Sequence, residues 1–179
     1  ITTTAQSIGV DTFMVCQGDF ASFESLYYAD IYSWNFNGAI PPPGNVQVVS
    51  SQFNTPGFYP ISMNMTTDCC GLSANDFAYL YVVPVSAATG SGNAAICAGE
   101  ATVLSLAGVL PSDSIVWSPS SNSVPVALGS INVNPIVTTS YTASIYSSVT
   151  GGGQTIVGCP TSVSFIVTVN PLPSLTMSS

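Results

Sequence analysis

The chain repeats itself once. Val15-Cys16-Gln17-Gly18-Asp19 returns as Ile96-Cys97-Ala98-Gly99-Glu100 at an offset of 81 residues, Trp34 returns as Trp117 at 83, and Tyr59-Pro60-Ile61-Ser62-Met63 returns as Tyr141-Thr142-Ala143-Ser144-Ile145 at 82. Val83-Pro84 and Asn170-Pro171 then close an apolar alternating run in each half. Four landmarks in one order divide the 179 residues into two copies of a unit of roughly 85 residues, each long enough for a small domain. The stretch Ala87-Ala88-Thr89-Gly90-Ser91-Gly92-Asn93 is small and flexible in composition, and is expected to link a first domain over 1–86 to a second over 94–172.

Each copy reads as strands. Val163, Phe165, Val167 and Val169 alternate with polar residues, as do Tyr141, Ala143 and Ile145. In the first copy Tyr32, Trp34 and Phe36 share a face, as do Tyr59, Ile61, Met63 and Met65, and Phe77, Tyr79, Tyr81 and Val83 are expected to form its last strand. Turn chemistry interrupts these runs at Pro41-Pro42-Pro43-Gly44, Thr55-Pro56-Gly57, Ser118-Pro119 and Gly151-Gly152-Gly153. No window sustains a helical period with caps. Several short strands per copy with one apolar face predict an all-β chain of two tandem domains, each a two-sheet β-sandwich.

Charge decides what such domains can do. Eight acidic residues stand against no Lys, Arg or His, and charged residues are 4% of the chain. Nucleic-acid binding, Lys- or Arg-built phosphate sites, His-based triads, lysine Schiff bases and His metal sites are excluded. A net charge of −8 repels anionic membrane surfaces, and no apolar run approaches the ~18 residues of a membrane span, so direct membrane insertion is not expected. Five cysteines in a chain with 27 Ser and 17 Thr favour an oxidising, extracellular setting. The opening Ile1-Thr2-Thr3-Thr4 reads as a mature or internal segment.

The second copy carries Ile96-Cys97-Ala98-Gly99-Glu100, Trp117-Ser118-Pro119, Asn134-Pro135 with Thr138-Thr139-Ser140-Tyr141, Gly158-Cys159, and Val167-Thr168-Val169-Asn170-Pro171-Leu172-Pro173. The first carries Trp34-Asn35-Phe36-Asn37-Gly38 and Thr55-Pro56-Gly57-Phe58-Tyr59. In these residues nearly the whole chain resembles the PKD and PKD-like immunoglobulin-like repeats of secreted Bacteroidota surface proteins. The family's Trp-Asp-Phe-Gly-Asp-Gly is altered in the first copy and missing after Trp117, which removes support for a role tied to that loop. The resemblance implies a stalk segment of a giant cell-surface adhesin, of the gliding-motility kind and exported by the type IX route, with residues 173–179 leading into a further repeat. It also implies a staple between Cys97 and Cys159, whose 62-residue separation corresponds to roughly 4 kcal/mol in the chain-entropy model. Asp113-Ser114-Ile115 matches the family's Asp-Ser/Thr-apolar motif for O-glycosylation at Ser114, and Asp11-Thr12-Phe13 is a looser match at Thr12.

In the first copy Cys16 can pair with Cys69 or Cys70. Cys70-Gly71-Leu72-Ser73 parallels Cys159-Pro160-Thr161-Ser162, which favours Cys70 and leaves Cys69 as a free thiol or an intermolecular crosslink. The carboxylates Asp11, Asp19, Glu24, Asp30, Asp68, Asp76, Glu100 and Asp113 are scattered singly, with neither a facing catalytic pair nor a calcium-loop spacing. They read as solvated surface acids, and no catalytic residue, metal or cofactor is assigned. Tyr27, Tyr28, Tyr32 and Trp34 cluster in sequence, but alternation sends Tyr32 and Trp34 to the core. Asn64-Met65-Thr66 is a sequon for hosts that glycosylate asparagine.

The expected role is a non-enzymatic extracellular structural or adhesive segment of a cell-surface adhesin or filament. Its partners are neighbouring repeats and surface components such as polysaccharide. The alternatives are a carbohydrate-binding or spacer module of a secreted enzyme, and a filament subunit joined by strand exchange.

Overall fold

In a computed structural model, which describes residues 2–3, 5–9, 11–37, 45–69, 71–92 and 95–172, the chain is all β. The turn expected at Pro41-Pro42-Pro43-Gly44 and the onward linker expected over 173–179 lie outside the described residues. The described strands are β1 (Thr2–Thr3), β2 (Gln6–Gly9), β3 (Thr12–Cys16), β4 (Phe20–Glu24), β5 (Ile31–Asn35), β6 (Val48–Gln52), β7 (Gly57–Thr66) and β8 (Ser73–Val83) in the first copy. The second holds β9 (Thr89–Ser91), β10 (Ala95–Cys97), β11 (Thr102–Ala107), β12 (Ser114–Ser118), β13 (Ser123–Ala127), β14 (Ser130–Val133), β15 (Thr139–Gly151) and β16 (Gln154–Asn170). Two compact units result, one of Ile1–Val85 with Ser147–Cys159, the other of Ser86–Tyr146 with Pro160–Ser179.

The first unit sets a sheet β1-β4-β6 against a sheet β2-β3-β8-β7-β5. β3 runs parallel to β8, with Thr12 opposite Tyr79 and Cys16 opposite Val83. β7 runs antiparallel to both β5 and β8. Strand alternation delivers Phe23 and Val49 from one sheet, and Trp34, Ile61, Met63 and Leu80 from the other, into one buried core. Phe23 meets Phe36 edge-on at 5.4 Å and Phe53 at 6.2 Å. The Trp34 indole N–H donates to the Val46 carbonyl at 2.9 Å, so burying this ring strands no polar atom.

The second unit sets β13-β14-β11-β9 against β10-β16-β15-β12. Leu104, Ile131 and Val133 face Tyr141, Ala143, Ile145, Phe165 and Val167. Half-buried Trp117 packs on Phe165 at 5.4 Å. Here too an opening strand runs parallel to the closing one, β10 along β16. Both units are immunoglobulin-like β-sandwiches.

The structure corrects two expectations. Residues 87–93 are not a free linker, because Thr89–Ser91 is β9 and pairs antiparallel with β11. The core face of β8 is Ala78, Leu80 and Val82, while Phe77 and Tyr79 are exposed. Tyr81 and Val83 are buried on the other face, where different residues cover them. Those residues carry the second correction: Ser147–Cys159, expected inside the second sandwich, belongs to the first unit. This segment is the tip of the β15–β16 hairpin, reversed at Gly152 (φ 54°) and Gly153 (φ 79°), the pair of positive φ angles that a two-residue hairpin turn of type I′ requires.

Its placement has a physical cause. Val149, Ile156 and Cys159 need cover, and Met14, Cys16 and Val83 supply it. The Tyr81 hydroxyl donates to the Gly151 carbonyl at 3.0 Å. A Cβ at Gly151 would collide with the Cβ of Phe58, so the approach depends on glycine there, whereas one at Gly158 would meet only the flexible end of Met14.

Candidate functional site

The first constellation is covalent. Cys16, at the end of β3, is bonded to Cys159 of β16, across a sequence separation of 143 residues. The bond sits beside Met14 and Val83, with Cys159 buried and in the left-handed region (φ 51°). Neither expected pairing forms. Cys97 is an exposed free thiol in β10, held in register opposite Asn170, the last residue of β16, whereas Cys159 lies near that strand's beginning. Register thus keeps Cys97 from Cys159. With Cys159 taken by Cys16, no Cys16–Cys70 bond exists; Cys70 itself lies outside the described residues. Cys69 is exposed and outside the disulfide. The signal that could have shown the true pairing is the glycine-flanked, apolar hairpin tip with no cover in its own half.

The second constellation is an open groove of about 690 Å³ in the first unit, lined by Leu26, Tyr27, Tyr28, Leu72, Asn75 and Asp76, among others. The buried residues beneath it build it. Ser25 is buried, donates its hydroxyl to the Tyr27 carbonyl at 2.9 Å, and receives the Tyr27 N–H at 3.2 Å. The Tyr32 hydroxyl accepts the Ala29 N–H at 2.7 Å and donates to the Tyr27 carbonyl at 3.1 Å. The Tyr32 N–H in turn donates to the Asn45 side-chain oxygen. The loop between β4 and β5 is therefore pinned from below, and Tyr27 and Tyr28 stand out 67% and 87% exposed. Of the four clustered aromatics, Tyr32 and Trp34 belong to the core, and Tyr27 and Tyr28 to the surface. A lining of two phenols, aliphatic side chains, one amide and one carboxylate can stack on and hydrogen-bond a neutral, hydroxyl-rich ligand.

The carboxylates are used one at a time. Asp113 accepts the Leu110 N–H at 2.8 Å, Glu100 the Cys97 N–H at 2.9 Å, Asp30 the Asp68 N–H at 2.7 Å, and Asp76 its neighbour Phe77's N–H at 2.9 Å. Among the described residues, no three Cys, Asp or Glu side chains gather where they could hold a metal ion. Asp113 is buried within its turn, so of the Asp113-Ser114-Ile115 motif only Ser114, the first residue of β12, is exposed. Thr12 is half-buried at the start of β3, and Asn64 is exposed in the middle of β7. The Tyr141 hydroxyl is held above its ordinary pKa by burial.

No family model and no curated protein matches the chain. Among solved structures, it is similar to extracellular domains 3–5 of Drosophila OTK at 13% identity and a TM-score of 0.51, over 78% of this chain and 51% of that one. It thus spans about half of the OTK fragment's length. The three N-terminal domains of the bacteriophage RB49 Highly Immunogenic Outer Capsid protein (Hoc) align at 11% identity and a TM-score of 0.47, over 96% and 69% of the two chains. Murine CEACAM1b aligns at 10% identity and a TM-score of 0.40, over 86% and 95%. At such identities the likeness to OTK supports the fold alone, and the fold it supports is the tandem immunoglobulin-like sandwich.

Proposed function

We propose that this chain is a non-catalytic, extracellular structural segment of a larger cell-surface stalk or adhesin. The observation that carries the reading is the combination of two sandwiches with well-filled cores and a disulfide from the opening strands to the hairpin tip, in a chain with no cation and no His. Such a chain has the means to persist outside the cell and lacks the His, Lys and Arg on which many catalytic sites rest. Its resemblance to PKD-like repeats supports a Bacteroidota adhesin of the gliding-motility kind, exported by the type IX route. Its partners are adjoining repeats and surface polysaccharide. Exposed Ser114 is the first position for an O-glycan and Thr12 the second. Electron microscopy of the full-length secreted protein tests the reading: a long thin projection supports it, and a compact catalytic body refutes it.

A second reading, a carbohydrate-binding module, is favoured by one observation, the pinned pair Tyr27 and Tyr28 over the groove. Affinity electrophoresis in gels containing neutral polysaccharides tests it. Retardation that disappears in a Tyr27→Ala, Tyr28→Ala variant supports this reading, and equal mobility of both proteins in every gel refutes it.

A further inference from the structure

One disulfide joins chain positions far apart in sequence, and its position divides the chain unequally. Sixteen residues run up to and include Cys16, and twenty lie beyond Cys159. The core of the first unit from Ala21 to Val82 falls between the bonded cysteines, as do Ile96, Leu104, Leu106, Ile131, Val133, Tyr141, Ala143 and Ile145 of the second. Of the second core's buried residues only Phe165 and Val167 lie outside that loop.

We infer that the Cys16–Cys159 bond is a covalent load bypass. Tension that enters ahead of Cys16 and leaves beyond Cys159 crosses the disulfide and does not pull on the chain between. Non-covalent strand pairing yields under sustained pull, because each hydrogen bond contributes only ~1 kcal/mol net. A covalent bond does not yield on that scale. Tension can still strip β1 to β3 and the part of β16 beyond Cys159, but it cannot unravel the enclosed residues. The inference rests on the proposed stalk role, since a compact enzyme module would have no load to divert.

The test is single-molecule extension of the 179-residue chain, held at its two ends, with and without a dithiol reductant. At ~3.5 Å per residue the oxidised chain reaches a limit of ~130 Å, and the reduced chain ~600 Å, a change of about five-fold. A Cys16→Ala, Cys159→Ala variant reaches the longer limit without reductant, and Cys97→Ala stays at the shorter one. An oxidised chain that extends to ~600 Å overturns the inference, and so does a limit near ~400 Å, the signature of a Cys97–Cys159 bond. A compact body in electron microscopy beside the short oxidised limit refutes the stalk reading while leaving the crosslink in place, so the two failures are distinguishable.

Discussion

Cutting the Cys16–Cys159 bond should be among the most damaging changes this chain can suffer. In the chain-entropy model, a loop closed across 143 residues restricts the unfolded ensemble by about 5 kcal/mol. Part of that is offset in the folded state, because Cys159 sits at φ 51°, which costs a non-glycine residue about 1 kcal/mol and can relax once the bond is gone. The net expectation for Cys16→Ala with Cys159→Ala is a loss of about 4 kcal/mol. For a chain of this size that corresponds to a fall in Tm of roughly 8–16 °C. Against a total stability of ~5–15 kcal/mol, the unit containing the bond would be left marginal.

Calorimetry of the oxidised protein, the double variant and the dithiol-reduced protein measures this directly. Reduced protein and double variant should melt together, well below the parent. Cys97→Ala, at an exposed position with no bond to lose, should melt with the parent. A double variant within ~3 °C of the parent would falsify the entropic argument. A large drop for Cys97→Ala would mean that the crosslink runs elsewhere.

Four further outcomes follow from individual contacts. Phe23→Ala removes a fully buried ring flanked by Phe36 and Phe53, and should cost ~3–5 kcal/mol by denaturant titration. Gly151→Val drives a branched side chain into Phe58 and should block the hairpin tip from seating, read as slower formation of the disulfide on oxidative refolding. Tyr27→Ala with Tyr28→Ala removes only exposed rings and should leave stability within ~0.5 kcal/mol of the parent, whatever it does to ligand binding. For Tyr141 the folded pKa lies above the unfolded value of 10.0, so its contribution is complete below pH 10 and is lost as pH rises through the folded pKa. Tyr141→Phe should flatten that alkaline decline in denaturant titrations at successive pH values.

How legible the fold was depended on how many faces of a strand are covered. β16 beyond Cys159 has one covered face, and its alternation of Val163, Phe165 and Val167 with Ser162, Ser164 and Ile166 shows which side faces inward. β8 is covered on both faces toward its end, so Ala78, Leu80 and Val82 on one side compete with Phe77, Tyr79, Tyr81 and Val83 on the other. The larger side chains lie on the face away from the main core, where part of their cover comes from a hairpin tip far away in sequence. The same tip explains the cysteines. A repeat suggests that equivalent cysteines do equivalent jobs, yet Cys16 and Cys97, matched in the repeat, are respectively bonded and free. The difference lies in what the second copy's hairpin reaches, which is a tertiary fact. The groove was half legible: alternation sorted Tyr32 and Trp34 inward, but the pinning of Tyr27 and Tyr28 by Ser25 and the Tyr32 hydroxyl depends on the folded loop.

The missing cations clarify what the acids are for. With no Lys, Arg or His side chain, a carboxylate here can find its partner only among backbone amides, hydroxyls, side-chain amides and water. Asp113, Glu100 and Asp30 each take a backbone N–H of a turn or strand end that strand pairing leaves over. A charge-assisted bond of that kind is stronger than a neutral one and asks for no second ion. It ties Asp113 and Glu100 to their own turns and joins Asp30, before β5, to the turn after β7. A glycosidase needs two carboxylates facing a common bond, and a calcium site needs several oxygens on one ion. With no cation to pair with, Asp113, Glu100 and Asp30 hold turns and strand ends of the sandwiches in place through backbone amides.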